Sequence, residues 1–143
     1  MRYASLSEKG QVRDNNEDSC FGDGRVFVVA DGMGGHRGGE VASSTAIEIF
    51  MGFEKDNPEL DPLNRIREGI LAANLELYEQ AQSDPSLEGM GTTFTCALLE
   101  EEVYLGHVGD SRAYLWREGK LTLMTRDHSL VEKMVREGHI TRP

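Results

Sequence analysis

RVFVVADGMGGHRGGE, residues 25–40, is the stretch on which the fold turns. It opens with an apolar run, residues 26–30, too short for a membrane span and rich in β-branched side chains, so it reads as a buried strand. The run ends at Asp31, and Gly32, Gly34, Gly35, Gly38 and Gly39 follow. A carboxylate at the tip of a buried strand, beside bare backbone, suits a hard cation, which takes carboxylate and carbonyl oxygens. The glycines let the chain turn and let a ligand approach the main chain. The plainer alternative is a strand-to-helix turn with a solvated Asp.

Working outward, the pattern after Gly39 becomes helical: Ala42, Ala46, Ile49, Phe50 and Phe53 recur at three and four residues. Asn57-Pro58 breaks it, and Asp61-Pro62 restarts a helix, with Asp as cap and Pro at the first position. Leu63, Ile66, Ile70, Ala73, Leu77 and Ala81 line one face of that second helix. From Thr92 the period falls to two. Strands are predicted over 92–99, 103–108, 111–116 and 121–124, as an antiparallel meander. Upstream, residues 3–7 alternate weakly as an edge strand, 19–21 form a short strand, and Asp23-Gly24 is a hairpin turn. A capping box at Ser129 and Glu132 starts a further helix. No repeat or linker marks a second domain, so residues 1–143 read as one domain.

Charge narrows the function. With 15 basic and 25 acidic residues, the net charge of −10 opposes nucleic-acid binding and attraction to an anionic membrane. No apolar stretch is long enough to span a bilayer, and no signal-peptide core follows Met1. Cys20 and Cys96 match no zinc or redox spacing and read as buried or half-buried thiols. A reducing cytoplasm is therefore the expected compartment.

Three acidic points share a setting. Asp31 and Asp110 each end an apolar strand, and Asp18, with Glu17, precedes one. Two carboxylates brought within 4 Å would repel by roughly 4 kcal/mol at an effective dielectric near 20, so a cation or shared protons would be needed. Oxygen donors without a Cys/His cluster point to Mg²⁺ or Mn²⁺. Arg13, close by in sequence, suits bidentate phosphate contact. The glycine stretch lacks the GK[ST] ending of a nucleotide P-loop, and no GxSxG motif is present. A water activated by two metals is then the better nucleophile.

VRDNNED (12–18), VVADGMGGHRGGEVAS (28–43), GTTFTCALL (91–99), HVGDSRAYL (107–115) and TRDHSLVEKMVREGHIT (125–141) resemble, in order, the bacterial branch of the metal-dependent type 2C serine/threonine protein phosphatases. The resemblance implies an α+β fold, a four-layer α-β-β-α sandwich of antiparallel sheets. It implies Mn²⁺ or Mg²⁺ as cofactor and phosphoproteins as substrates, with a serine/threonine kinase or its targets as partners. Arg13 corresponds to the arginine that holds the substrate phosphate, and Asp31 to the aspartate bridging two metals. Gly32 would offer its carbonyl to the second metal, with Glu17 and Asp18 around it, and Asp110 would serve an additional, weaker metal site. His36 is carried either as a proton donor or as a hydrated loop residue. His128 would orient the substrate loop or belong to the helix entry, and His107 and Trp116 read as structural.

The late aspartates that complete the first metal site in this family have no counterpart after Asp127, where the acidic residues are Glu132 and Glu137. The domain is accordingly expected to be incomplete at the C-terminus. Two functions follow: a metal-dependent phosphoprotein phosphatase, with weak or no activity expected of residues 1–143 alone, or an inactive phosphatase-like module that binds metal weakly and associates with itself or a partner. Open sheet edges and apolar faces predict self-association or domain swapping. Light scattering should detect species larger than the monomer; a monodisperse monomer would contradict this.

Overall fold

The computed structural model describes residues 1–35 and 37–128. Strands β1 (Asp18–Gly22) and β2 (Val26–Met33) form an antiparallel hairpin closed by Asp23-Gly24. The Asp23 carboxylate accepts the N–H groups of Arg25 (2.8 Å) and Val26 (2.7 Å), and these bonds hold its pKa below the usual carboxylate value. Gly24, at φ 94°, supplies the left-handed residue the turn requires.

Helix α1 (Gly38–Asp56) and helix α2 (Pro62–Ser83) follow. Asp61 caps α2 by accepting from Asn64 N–H at 3.0 Å, with Pro62 in the first turn, as the sequence predicts. Then come β3 (Gly91–Thr92), β4 (Phe94–Leu99), β5 (Val103–Val108), β6 (Tyr114–Arg117) and β7 (Lys120–Leu123). The main sheet is ordered β1-β2-β4-β5, with β3 pairing the end of β2, and β6-β7 is a separate hairpin.

Both helices lie on one face of the sheet. Val26, Val28 and Ala30 of β2 and Phe94, Cys96 and Leu98 of β4 point towards them, meeting Ala42, Ala46, Phe50, Ile66, Ala73 and Leu77. Phe50 and Phe94 pack with ring centroids 4.9 Å apart. Burial pushes the Cys96 thiol up to about 12. The opposite face carries Phe27, Val29, Ala97 and Leu105 around an open cavity of about 330 Å³ that the N-terminal residues Ala4 and Leu6 also line. The helix-on-sheet half of the expected architecture is thus laid out. The helix expected from Ser129 lies outside the described residues.

Several local expectations change. β2 does not stop at Asp31; Gly32 and Met33 pair with Thr92 and Gly91. Residues 3–7 form no strand, though Tyr3 packs edge-on against Phe27 at 5.3 Å. The meander breaks between β5 and β6, because Gly109 turns the chain at φ 104°. Leu63 and Trp116 are exposed rather than packed, at 61% and 68%. No helix among the described residues is long and apolar enough to cross a membrane.

One buried feature is ionic. Glu54, on the inner face of α1 and 4% exposed, accepts from Arg25 at 2.7 Å and Arg65 at 3.1 Å; Arg65 also reaches Glu100 at 2.9 Å. The cluster ties both helices to the start of β2 and the β4–β5 turn. Without Glu54 the buried Arg65 keeps Glu100 and the Leu60 carbonyl, so the cost is that of lost charged hydrogen bonds, about 1.5–3 kcal/mol, and not that of an unpaired buried charge. Glu54→Ala should therefore lower the urea midpoint by an equivalent amount, and Glu54→Gln by less. Equal, small effects would mean that the cluster is solvated.

Candidate functional site

The register of the hairpin sets Asp18 directly opposite Asp31. Paired residues share a face, and this one is turned away from the helices. The row continues across the sheet. β2 pairs through Val29↔Thr95 and Gly32↔Thr92, which puts Thr93 opposite Asp31. Thr93 N–H donates to the Asp31 carbonyl at 2.9 Å, while Asp31 N–H donates to the Thr93 hydroxyl oxygen rather than to its carbonyl, also at 2.9 Å. The Thr93 carbonyl is taken by the Thr92 hydroxyl at 2.7 Å. Beyond Thr93 lies Gly109, where a Cβ would come within 2.7 Å of the Thr93 methyl. Asp110 follows immediately. Asp18, Asp31, Thr93 and the Gly109-Asp110 turn thus stand in one transverse row.

Electrostatics agree with that placement. The Asp31 carboxyl is raised above its usual pKa, first by partial burial, then by the hydrogen bond and charge of Asp18, then by Asp110; Arg13 opposes the rise. Two adjoining cavities, of about 240 and 180 Å³, meet at Asp18 and Asp31. The smaller is lined by Lys9, Arg13, Asn15, Asn16 and Glu17 as well. Arg13 therefore shares a cavity with the opposed carboxyls, as a phosphate-binding arginine would need to.

Glu17 and Gly32 form the rear wall. Gly32 N–H donates to the Glu17 carbonyl at 3.1 Å. A Cβ on Gly32 would overlap the Gly39 carbonyl, and one on Gly39 would strike the Glu17 carboxylate. Gly32 requires bare backbone because the first turn of α1 is pressed against this junction, and a side chain on Gly39 would displace the Glu17 carboxylate. The Glu17 carboxylate consequently sits at the positive end of α1, which favours an anion.

The turn bearing Asp110 is held from two sides. Ser111 Oγ lies 2.7 Å from Thr93 Oγ1. Gly109 N–H donates to His128 Nδ1 at 3.2 Å, and His128 N–H returns to the Gly109 carbonyl at 2.8 Å. His107 bridges Thr95 Oγ1 (2.8 Å) and the Arg126 carbonyl (3.0 Å), with its ring 5.0 Å from that of His128. Arg112 and Asp127 form a two-pronged ion pair at 3.0 and 2.7 Å that braces the same segment.

Of the residues singled out from sequence, Asp18 and Asp31 are brought together, with Arg13 and Asp110 in electrostatic range and Glu17 and Gly32 behind. His36 lies outside the described residues. Among the described residues, no three Asp, Glu, His or Cys side chains converge on a single point. The donor set nevertheless fits a hard cation: Asp18 raises the proton affinity of the Asp31 carboxyl opposite it, and a divalent ion would satisfy the same charge. Thr93 and Ser43 were not anticipated. Ser43 betrays itself as a polar residue on the Ala42/Ala46 face of α1; for Thr93 no sequence signal separates it from its β-prone neighbours.

Residues 4–133 match the profile of the protein phosphatase 2C family, and the chain belongs to that family. It is 44% identical over 142 residues to the serine/threonine protein phosphatase PstP of Mycobacterium tuberculosis, which covers 99% of this chain and 28% of PstP. It is 37% identical over 156 residues to the serine/threonine phosphatase stp of Listeria monocytogenes, covering 99% of this chain and 60% of stp. A crystal structure of the M. tuberculosis PstP/Ppp phosphatase superposes with a TM-score of 0.90 at 45% identity, over 98% of this chain and 60% of that one. The PstP catalytic domain in complex with two manganese ions superposes at 0.89, with 45% identity, over 98% and 61%. The chain thus spans 28% to 60% of the curated relatives' length.

Without a cation, a carboxyl whose folded pKa is raised stabilises the fold below its unfolded pKa of about 3.9, and that contribution is lost as pH rises through the folded value. Asp31→Asn should therefore make the chelator-treated protein more resistant to urea at pH 8 than the parent, with little difference at pH 4. A parent that is the more stable at pH 8 would show that Asp18 and Asp31 do not oppose each other.

Proposed function

We propose that this chain carries the phosphate- and metal-binding part of a protein phosphatase that hydrolyses phosphoserine and phosphothreonine in proteins. The observation that carries the reading is the Asp18–Asp31 rung with Arg13 beside it, in a member of the protein phosphatase 2C family. Arg13 binds the phosphoryl oxygens by paired N–H donors. Asp31, Asp18 and Glu17 hold divalent cations, with the Gly32 carbonyl as a neutral donor and Asp110 serving a further, weaker position. His36 is the candidate donor of a proton to the leaving alkoxide.

The cations are Mn²⁺ or Mg²⁺; the manganese complex of PstP supports the former. When bound, such ions supply Lewis acidity and lower the pKa of water near the phosphorus. The chain's own residues orient the phosphate, fix the spacing of the carboxylates and, through Thr93 and Ser111, set the Asp110 turn against the Asp31 strand. Phosphoprotein substrates, among them serine/threonine kinases or kinase targets, a role in signalling, a cytoplasmic site of action and self-association complete the proposal.

Manganese-dependent hydrolysis of an aryl phosphate tests it. Asp31→Asn should lose more than the roughly 10- to 100-fold that an outer-sphere change costs. Arg13→Ala should act chiefly on KM. A folded chain that binds Mn²⁺ and turns over neither an aryl phosphate nor a phosphopeptide would leave a binding module in place of the enzyme.

A further inference from the structure

We infer that Ser43 is a positioning residue for the cation site: its buried hydroxyl fixes the Glu17 carbonyl, and with it the Glu17–Asp18 peptide, against Gly32. The inference rests on the reading of that site proposed above. Ser43 lies near the N-terminus of α1 and is 0% exposed. A helical serine ordinarily bonds back to a carbonyl of its own helix, as Ser44 does to Glu40 at 2.8 Å. Ser43 instead reaches out of the helix to the Glu17 carbonyl at 2.7 Å, while its own-helix option, the Glu40 carbonyl, is 3.4 Å away.

Proton accounting gives the arrangement a direction. A serine hydroxyl has one proton to donate. Ser43 spends it on Glu17, so Ser19 Oγ, 2.8 Å from Ser43 Oγ, must be the donor of that contact. The chain of hydrogen bonds runs Ser19 to Ser43 to the Glu17 carbonyl. The same carbonyl accepts Gly32 N–H at 3.1 Å, so it takes two hydrogen bonds and joins three elements: the loop before β1, the end of β2 and the first turns of α1.

Alternation places the consequence. Ser19 pairs with Ala30 on the helix face, and Asp18 pairs with Asp31 on the open face. Ser43 therefore grips from behind the peptide that leads into Asp18, whose side chain works in front. Alanines at positions 42 and 46 pack on the same helix face without any hydroxyl, so burial alone does not call for one. A buried hydroxyl costs free energy unless it is bonded. The partners found for it are the backbone beside the proposed ligands.

Mn²⁺ titration followed by electron paramagnetic resonance, with Gly32 amide exchange measured in chelator, tests the inference. Ser43→Ala should weaken Mn²⁺ binding about tenfold, the scale of outer-sphere losses, and speed Gly32 exchange. Ser43→Cys, similar in size with a weak donor, should fall between, and it carries the comparison if the alanine variant does not fold. Ala46→Gly loosens the same helix without touching the junction and should leave Mn²⁺ affinity near that of the parent. Unchanged affinity in the Ser43 variants, or an equal loss in Ala46→Gly, overturns the positioning role alone. A parent chain that binds no Mn²⁺ overturns the metal-site reading itself, and the positioning role with it.

Discussion

Asp18 and Asp31 share one rung of an antiparallel ladder, and the ladder leaves them no freedom to part. Cross-strand neighbours hold their Cβ atoms about 4.5–5.5 Å apart. Two full charges at ~5 Å repel by about 3 kcal/mol at an effective dielectric near 20. The sheet tolerates this because Arg13 lies within electrostatic range and because Asp31 keeps a raised proton affinity. A site with surplus negative charge, open to solvent and beside a guanidinium, is selective by construction for something positive that in turn attracts something anionic.

The rest of the fold can be understood as support for that rung. Its front is the transverse row through Thr93 to the Asp110 turn, tied by hydroxyl contacts and by the double backbone clasp of His128 on Gly109. Its back is the junction of Gly32, Gly39, Glu17 and Ser43, where helix and strand approach too closely for a Cβ on Gly32. Preorganisation comes from both sides at once. The back is held by backbone and one short side chain, which lose less rotamer entropy on ordering than the Arg112–Asp127 pair that braces the front.

Much of this was legible in the sequence because it is local. The Asp23-Gly24 turn, the Asp61-Pro62 start of α2, the inner faces of the helices and the β5 boundaries all follow from caps, turn residues and periodicity. What sequence did not disclose is register. Nothing in the residues near Asp18 or Asp31 says that they fall opposite one another, and the pairing of Thr93 with Asp31 is set by β4, some sixty positions away. The stop expected at Asp31 failed because glycine, a usual strand breaker, finds partners in β3. The break between β5 and β6 escaped for the converse reason: period-two patterning marks strands without saying which sheet they join. Likewise Glu54 and Arg65 occupy apolar positions of their helices, a clue that becomes an ion cluster only when Arg25 and Glu100 arrive from elsewhere.

That ion cluster sits at the beginning of β2, and Asp31 lies near its other end. At ~3.3 Å per residue of strand, the two are about 20 Å apart. Changes so distant and without shared partners combine nearly independently. Mutational drift around Glu54 or Arg65 therefore alters what fraction of molecules is folded while leaving the chemistry of each folded molecule alone. A lineage can retune its thermal range at one end of a single strand and keep its specificity untouched at the other.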